Sequence, residues 1–379
     1  MENQSLPKNR NSRIWLEINL NTLEENFKRI CASVSPLKVM AVLKANAYGL
    51  GAVPAAERLL KAGAAGFCVA ELREAIQLAP FGKPIQILGG LLDFELEEAV
   101  RYHFILGITD LESAKRISAE SVRQGIVTEV HFKIDTGMGR LGILAKDAIK
   151  TAQEVAKLPN LNCCGIYSHF PAAANDELSQ KQAEDLLKIR EEMIHSGITI
   201  EKMHIANSDA INTCPFATKA PFTQVRAGID LHGSFNADGE RDLGLKPVFS
   251  LKSRVVQIRK MPAGHTIGYD RTCKLPVDTH VATVSAGYAD GLPLNLSNRG
   301  YVIIRGVLCP IIGRISMDYT TVRLEGIDPA EICPGEEVIF LGESGGNRIC
   351  VDDWAKIKGT HPYEILCAFG NRVNRFYVN

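Results

Sequence analysis

Val39-Met-Ala-Val-Leu-Lys44-Ala-Asn-Ala-Tyr48-Gly-Leu-Gly51 is an apolar run that ends on a lysine and passes at once into a glycine-punctuated turn. Such a run reads as a β-strand buried on both faces, which has no place for an ammonium group in its interior. Lys44 therefore belongs at the strand's carboxyl end, where barrels and open α/β sheets gather their ligands. Taken by itself, the lysine reads first as a solvated strand end. The rest of the chain carries the functional reading.

Outward from this strand, helix and strand patterns alternate. Helix-like Ala52–Ala62 leads to Gly66–Ala70, Glu71–Ala79 to Pro84–Leu88, Phe94–Tyr102 to Phe104–Gly107, and Leu111–Arg123 to Glu129–Ile134. Lys146–Leu158 precedes Asn162–Tyr167, Glu177–Ser196 precedes Lys202–Ile205, and Asp209–Thr213 precedes a last strand near Phe222–Arg226. Counted from Val39, about eight strands alternate with helices, which predicts an α/β chain with an N-terminal (β/α)8 TIM-like barrel over a doubly wound sheet. Upstream, Arg13–Leu20 reads as a further strand, and Asn21, three residues before Glu24, as the cap of a helix.

Beyond Gly239 the texture changes. Pro247–Met261, Thr279–Ser285, Gly300–Val307, Ile311–Arg314, Thr320–Leu324 and Glu337–Leu341 are short β-rich runs parted by glycine, proline, asparagine and aspartate. They predict a C-terminal mostly-β domain. The expected division is residues 11–238 for the barrel and 239–379 for the second domain, with residues 1–10 associated with the latter. The polar segment Phe235–Asp242 serves as the linker.

Composition narrows the partners. The 379 residues suit one large and one smaller domain, and 43 lysines plus arginines balance 43 aspartates plus glutamates. No global field favours nucleic acid or an anionic membrane, so a small molecule is the expected partner. The N-terminus is polar and no apolar run approaches a membrane span, which predicts a cytoplasmic protein. The ten cysteines are scattered without a Cys-x-x-Cys pair, so reduced core thiols are expected rather than disulfides or a metal site.

Polar residues cluster in a telling place. Lys44, Asp135–Arg140, His169, Asn207 with Ser208, and Gly228 with Ile229 each follow the apolar part of a predicted strand. Barrel enzymes place their chemistry on that rim.

Lys44-Ala-Asn-Ala-Tyr48-Gly resembles the cofactor-lysine motif of the pyridoxal-phosphate-dependent alanine racemases. Further segments resemble that family in order: Lys133-Ile-Asp-Thr-Gly-Met-Gly-Arg140, Ser168-His169-Phe, Asn207-Ser208, Arg226-Ala-Gly228-Ile229, Gly268-Tyr269-Asp, Gly287-Tyr288-Ala-Asp-Gly and Ser316-Met317-Asp318. Pro362-Tyr363-Glu364 and Arg372-Val-Asn-Arg375 extend the likeness to the C-terminus. The resemblance implies pyridoxal 5′-phosphate as cofactor and racemisation of L- and D-alanine, supplying D-alanine for peptidoglycan.

By the same resemblance, Lys44 attaches the cofactor aldehyde and then serves as acid and base on one face of the substrate. Tyr269 is the acid and base on the opposite face. A phenol ordinarily titrates near 10, so exchange near neutrality calls for cationic or hydrogen-bonding neighbours, and His169 and Arg226 are the implied relay. Arg226 faces the cofactor's ring nitrogen. Because a guanidinium does not release its proton, the ring stays a weaker electron sink, which suits racemisation better than transamination or decarboxylation. Tyr48, Asn207, Ser208, Gly228, Ile229 and Tyr363 hold the cofactor; Arg140, Met317, Tyr288 and Tyr363 meet the substrate. Lys133 matches a lysine carbamylated in some members. Tyr269, Tyr288 and Met317 lie in the second domain, which implies a homodimer whose sites are shared between subunits.

Several positions depart from the family pattern. Gly268 and Asp270 flank Tyr269 where serine and glycine are common, His232 replaces a usual tyrosine, Asn175 an expected aspartate, and His361 and Asn374 are atypical. They leave the substrate range open. A serine or broad-specificity racemase, a decarboxylase of the same fold and a non-catalytic pyridoxal-phosphate carrier are the alternatives.

Overall fold

Eight short parallel strands form the first half of the chain in a computed structural model that describes residues 11–174, 176–234 and 243–379. They are Lys38–Val42, Gly66–Val69, Ile85–Ile87, Ile105–Ile108, Thr128–Asp135, Leu161–Tyr167, Lys202–His204 and Gln224–Ala227. The last pairs with the first, Gln224 opposite Lys38. Between the seventh and eighth strands, the Thr223 N–H donates to Met203 O at 2.9 Å and the Arg226 N–H to Ala206 O at 3.1 Å. The sheet thus comes round into a nearly closed barrel.

The strand residues are buried almost throughout because helices cover the outer face while Phe132, Ile166 and Met203 help fill the core. The helices begin where side chains satisfy their free N–H groups. Asp110 accepts from Ser113 N–H at 2.6 Å and Asp176 from Ser179 N–H at 2.8 Å. At the first helix, Leu20–Val34, the cap is Asn19, which accepts from Thr22 N–H at 2.9 Å, and not the expected Asn21. The strand before it ends earlier than the apolar pattern indicated.

The second half is built on a long strand, Phe249–Met261, which pairs antiparallel with Ile14–Asn19, Thr279–Val284 and Glu337–Ser344. Ile14–Asn19 also pairs in parallel with Asn374–Val378, Trp15 opposite Asn374. The most N-terminal described strand is therefore hydrogen-bonded into the C-terminal sheet, although the expected division assigned it to the barrel. An alternating apolar pattern reveals a strand but not its partner. Gly300–Val307, read as one run, is a hairpin turning at Arg305 and Gly306, both at positive φ. Two helices, Val351–Lys358 and Pro362–Cys367, lie in this mostly-β half. The expected linker Phe235–Asp242 and Asn175 lie outside the described residues.

One continuous apolar core runs through both halves. The buried Asn26 amide joins them further, donating to Leu231 O and Lys246 O at 3.1 and 2.7 Å and accepting from Lys246 N–H at 2.9 Å. All ten cysteines are unpaired, and no helix among the described residues is long and apolar enough to cross a membrane.

Leu16, fully buried in the shared strand, leaves a cavity when truncated. Leu16→Ala is expected to lower the unfolding free energy by about 2–5 kcal/mol in chemical denaturation; a loss below about 1 kcal/mol would show that this strand is peripheral.

Candidate active site

Lys44 opens a turn of unusual hand. Ala45, Asn46, Ala47 and Tyr48 all have positive φ, between 51° and 55°. For residues with a Cβ this region costs about 1–2 kcal/mol each, so the surroundings must hold it. The Glu74 carboxylate accepts from Ala70 N–H at 2.8 Å and also from Ala45 N–H. The Asn46 side chain accepts from Ala52 N–H at 2.8 Å. The C-terminal strand grips the same turn: Arg375 Nε donates to Gly49 O at 2.7 Å and the Tyr377 hydroxyl to Leu50 O at 3.0 Å. At Gly51 a Cβ would lie 1.9 Å from Tyr377 Oη, so the close approach as well as the φ of 109° requires glycine. Burial and then the nearby Arg140 push the Lys44 ammonium below its usual pKa, favouring the free amine.

Arg226 is the most constrained group on the rim. Its guanidinium donates to Ser168 O at 2.9 Å and Ile205 O at 3.0 Å, and reaches His169 Nδ1 at 3.2 Å and His204 Nδ1. Burial pushes both histidines down, His169 to about 2, and the Arg226 charge adds to the effect. Both rings are neutral at physiological pH and accept at Nδ1, which places the ring proton on Nε2. The Tyr167 ring stacks on His204 at 5.0 Å, with Lys133 Nζ 5.2 Å and the Arg226 guanidinium 5.9 Å from its centroid. Burial, then Arg226 and Arg140, bring Lys133 down to about 8.

The Asp135 carboxylate shapes the loop that ends at Arg140, accepting from Gly137 N–H at 2.9 Å and Gly139 N–H at 2.9 Å. Burial opposes its ionisation, but these backbone donors hold it below the usual carboxylate range.

A second cluster lies at Gly228. Its N–H donates to Ser208 Oγ at 2.9 Å and to Asp230 Oδ1 at 2.8 Å. A Cβ there would meet Tyr48 Oη at 2.4 Å. Tyr48 packs edge-on against Tyr363 and His232, ring centroids 5.7 and 5.5 Å apart. Asn207 caps the helix Ser208–Thr213, accepting from Ala210 N–H at 3.0 Å.

The structure thus gathers Lys44, Tyr48, Lys133, Arg140, His169, Asn207, Ser208, Arg226, Gly228, Ile229 and Tyr363 about the carboxyl ends of the barrel strands. Three expected residues of the second half, Tyr269, Tyr288 and Met317, are exposed in the single chain. Tyr288 and Met317 share a patch, since Tyr288 N–H donates to Ser316 O and Ala289 N–H to Met317 O, both at 3.1 Å. Tyr269, on the loop packed against Arg314, is 69% exposed. The charges acting on Lys44 come from Arg140, Cys367, Glu74 and Arg226.

Comparison with known proteins agrees with this architecture. The sequence models of the families described as alanine racemase, N-terminal domain, and alanine racemase, C-terminal domain, match residues 18–235 and 248–377. The chain belongs to the alanine racemase family. The alanine racemase of Clostridium novyi (strain NT) is 36% identical over 372 residues, covering 96% of this chain and 95% of that protein. Among solved structures, the alanine racemase from D-cycloserine-producing Streptomyces lavendulae superposes with a TM-score of 0.90 at 30% identity, covering 99% of this chain and 98% of that one. The alanine racemase of Bartonella henselae, solved with covalently bound pyridoxal phosphate, superposes with a TM-score of 0.86 at 28% identity, covering 97% of this chain and 100% of that one.

The alanine racemase motifs do not point to every residue on this rim. His204 and Tyr167, which flank Arg226, each sit at the end of an apolar strand, and that position is their only sequence signal. Asp230 carries no comparable mark, and Arg375, though part of the C-terminal likeness, is not marked there as a clamp on the lysine turn.

His232 is buried, both ring nitrogens lack a hydrogen-bond partner among the described residues, and burial pushes it down to about 4. Because its folded pKa lies below the unfolded value, its neutral form supports the fold above about pH 6.5, and that support is lost as pH falls towards 4. His232→Phe is expected to flatten the loss of unfolding free energy between pH 6.5 and 4, by up to about 1.4 kcal/mol per pH unit. Parallel curves for the two proteins would rule this out.

Proposed function

We propose that this chain interconverts L- and D-alanine using pyridoxal 5′-phosphate attached at Lys44, and that two copies complete each other's sites. The observation that carries the reading is the rim itself. It holds an amine whose hold on its proton is weakened, two neutral histidines and a guanidinium with no proton to give, on a chain akin to alanine racemases over nearly its whole length.

The Gly228 cluster fits a phosphate. A hydroxyl, a backbone N–H and the Tyr48 phenol converge where any side chain at 228 would intrude, with Tyr363 packed edge-on against Tyr48, in the manner of anion sites built from backbone donors. Tyr48, Asn207, Ser208, Gly228, Ile229 and Tyr363 would hold the cofactor, with Arg226 at its ring nitrogen. When bound, the cofactor supplies an electron-withdrawing ring that acidifies the hydrogen on the substrate's α-carbon.

The chain's own residues then handle the proton. The Lys44 amine takes or returns it on one face. The Tyr269 phenol of a second copy does so on the other, in contact with His169, whose Nδ1 is engaged by Arg226 while Nε2 carries the proton. Arg226 donates hydrogen bonds without transferring a proton, which limits charge withdrawal from the reacting carbon and favours return of the proton there. A decarboxylase calls for a carboxylate in that place. Arg140, Tyr288 and Met317 meet the substrate, and an uncharged fraction of Lys133 near neutrality suits carbamylation. A bare cofactor carrier would leave Tyr269, Tyr288 and Met317 without a use.

Exposure supports the dimer. Besides Tyr269, Leu92 and Leu141 on loops and Phe94 and Leu178 in the first turns of the helices Asp93–Arg101 and Glu177–His195 are open to solvent, Phe94 at 79%. Such exposed apolar side chains are suited to cover by a second copy in head-to-tail contact. A cytoplasmic setting keeps the ten free thiols reduced and places D-alanine where peptidoglycan precursors are made.

Lys44→Ala is expected to abolish both the visible absorbance of bound cofactor and the formation of D-alanine from L-alanine. Tyr269→Phe should keep the absorbance and lose about 10²–10⁴-fold in turnover. A coloured, active Lys44→Ala protein, or undiminished turnover in Tyr269→Phe, would refute the assignment.

A further inference from the structure

Asp230 stands in the middle of the phosphate cradle, and no step of the racemisation uses it. Its carboxyl is fully buried. Oδ1 accepts from Gly228 N–H at 2.8 Å, Leu231 N–H at 2.9 Å and the Ser208 hydroxyl at 2.9 Å. Two of these three donors are the ones assigned to the cofactor's phosphate. Oδ2 is buried with no hydrogen-bond partner among the described residues. The electrostatic influence of Asp230 also reaches the phenols of Tyr48 and Tyr363 and helps to raise both.

A phosphate monoester is close to a dianion above about pH 7. A carboxylate beside it, sharing its donors, is a like charge in a buried place, and two such groups cannot both stay fully ionised. The titratable groups facing Asp230 do not relieve this. From the helix Ser208–Thr213 comes Asp209, a further acid, and from the lysine turn and the helix Pro362–Cys367 come the two phenols. Two residues along the chain, His232 is held neutral. No lysine or arginine among the described residues donates to either oxygen of Asp230.

We propose that Asp230 is an acid gate on cofactor affinity: phosphate enters the cradle together with one proton, which the Asp230 carboxyl takes up. The inference rests on the cofactor reading above. The proton comes from solvent and settles on Oδ2, cancelling the like charge, while Oδ1 keeps its three hydrogen bonds. Burial, which raises Asp230 to about 7, already inclines the carboxyl towards that form. The affinity contributed by phosphate therefore falls as pH rises above 7, by up to about tenfold per pH unit for one linked proton.

The test compares pyridoxal 5′-phosphate with pyridoxal on the full-length, cofactor-stripped chain from pH 6.5 to 9, by absorbance titration. The ratio of the two affinities cancels the chemistry of the aldehyde and Lys44. For the native chain the ratio is expected to drop between pH 7 and 9. For Asp230→Asn, whose amide donates at any pH, it should stay level and exceed the native ratio at pH 9 by at least about tenfold. Calorimetry at pH 8.5 in buffers of different ionisation enthalpy should show uptake of about one proton per site more for pyridoxal 5′-phosphate than for pyridoxal in the native chain, and no such excess in the variant. A native ratio independent of pH, or the same slope in Asp230→Asn, overturns the inference and leaves the cofactor reading standing. Should Asp230→Asn fail to fold, the calorimetric proton count on the native chain decides alone, and an excess near zero overturns the inference. A native chain that binds pyridoxal 5′-phosphate at no pH overturns both.

Discussion

A positive charge that cannot be discharged is enclosed at the centre of this barrel's rim, and much of the site follows from it. The Arg226 guanidinium is buried, so its hydrogens need acceptors, and two backbone carbonyls and two histidine nitrogens provide them. That requirement fixes the tautomers of His169 and His204, and together with burial it keeps both rings uncharged. The same charge helps to lower Lys133 and Lys44. The fixed cation thus weakens the hold of the neighbouring amines on their protons while the histidines beside it stay uncharged. Such an arrangement suits chemistry in which a proton leaves a carbon and returns to it.

The second requirement is mechanical. A lysine at a strand end is mobile unless its turn is held, and here four residues in the left-handed region make the turn costly in isolation. Glu74 fastens it from the barrel, and Arg375 and Tyr377 fasten it from the C-terminal strand. That strand pairs with Ile14–Asn19, which pairs in turn with the long strand of the second sheet. The first described strand is therefore linked through the last strand to the lysine turn. The C-terminal half thus helps to position Lys44, which gives the second domain a role beyond carrying Tyr269.

How much of this could be read in the sequence varies with the kind of interaction. The barrel was legible because each strand is an apolar run closed by a polar turn, and the rim because Lys44, His169 and Arg226 each lie at the end of such a run. The partner of the first strand was not legible, since alternation in Ile14–Asn19 fits either sheet. The hairpin at Arg305 and Gly306 lay hidden within a single β-rich run. His204 and Asp230 escaped notice because their importance lies in which atoms they face, and a neutral buried histidine and a buried acid look like any other polar residue until the donors around them are known. Tyr269, Tyr288 and Met317 could be named by resemblance, yet their exposure in a single chain emerges only from the fold.

Whether amine and phenol belong to different chains is the point on which the racemase mechanism turns. Lys44→Ala and Tyr269→Phe chains can be dissociated together, reassociated and assayed for D-alanine. In a shared-site dimer about half of the products are hybrids, and each hybrid holds one site with both groups intact, so about a quarter of wild-type activity is expected. Activity no greater than the sum of the two separate variants would contradict sites built across the interface.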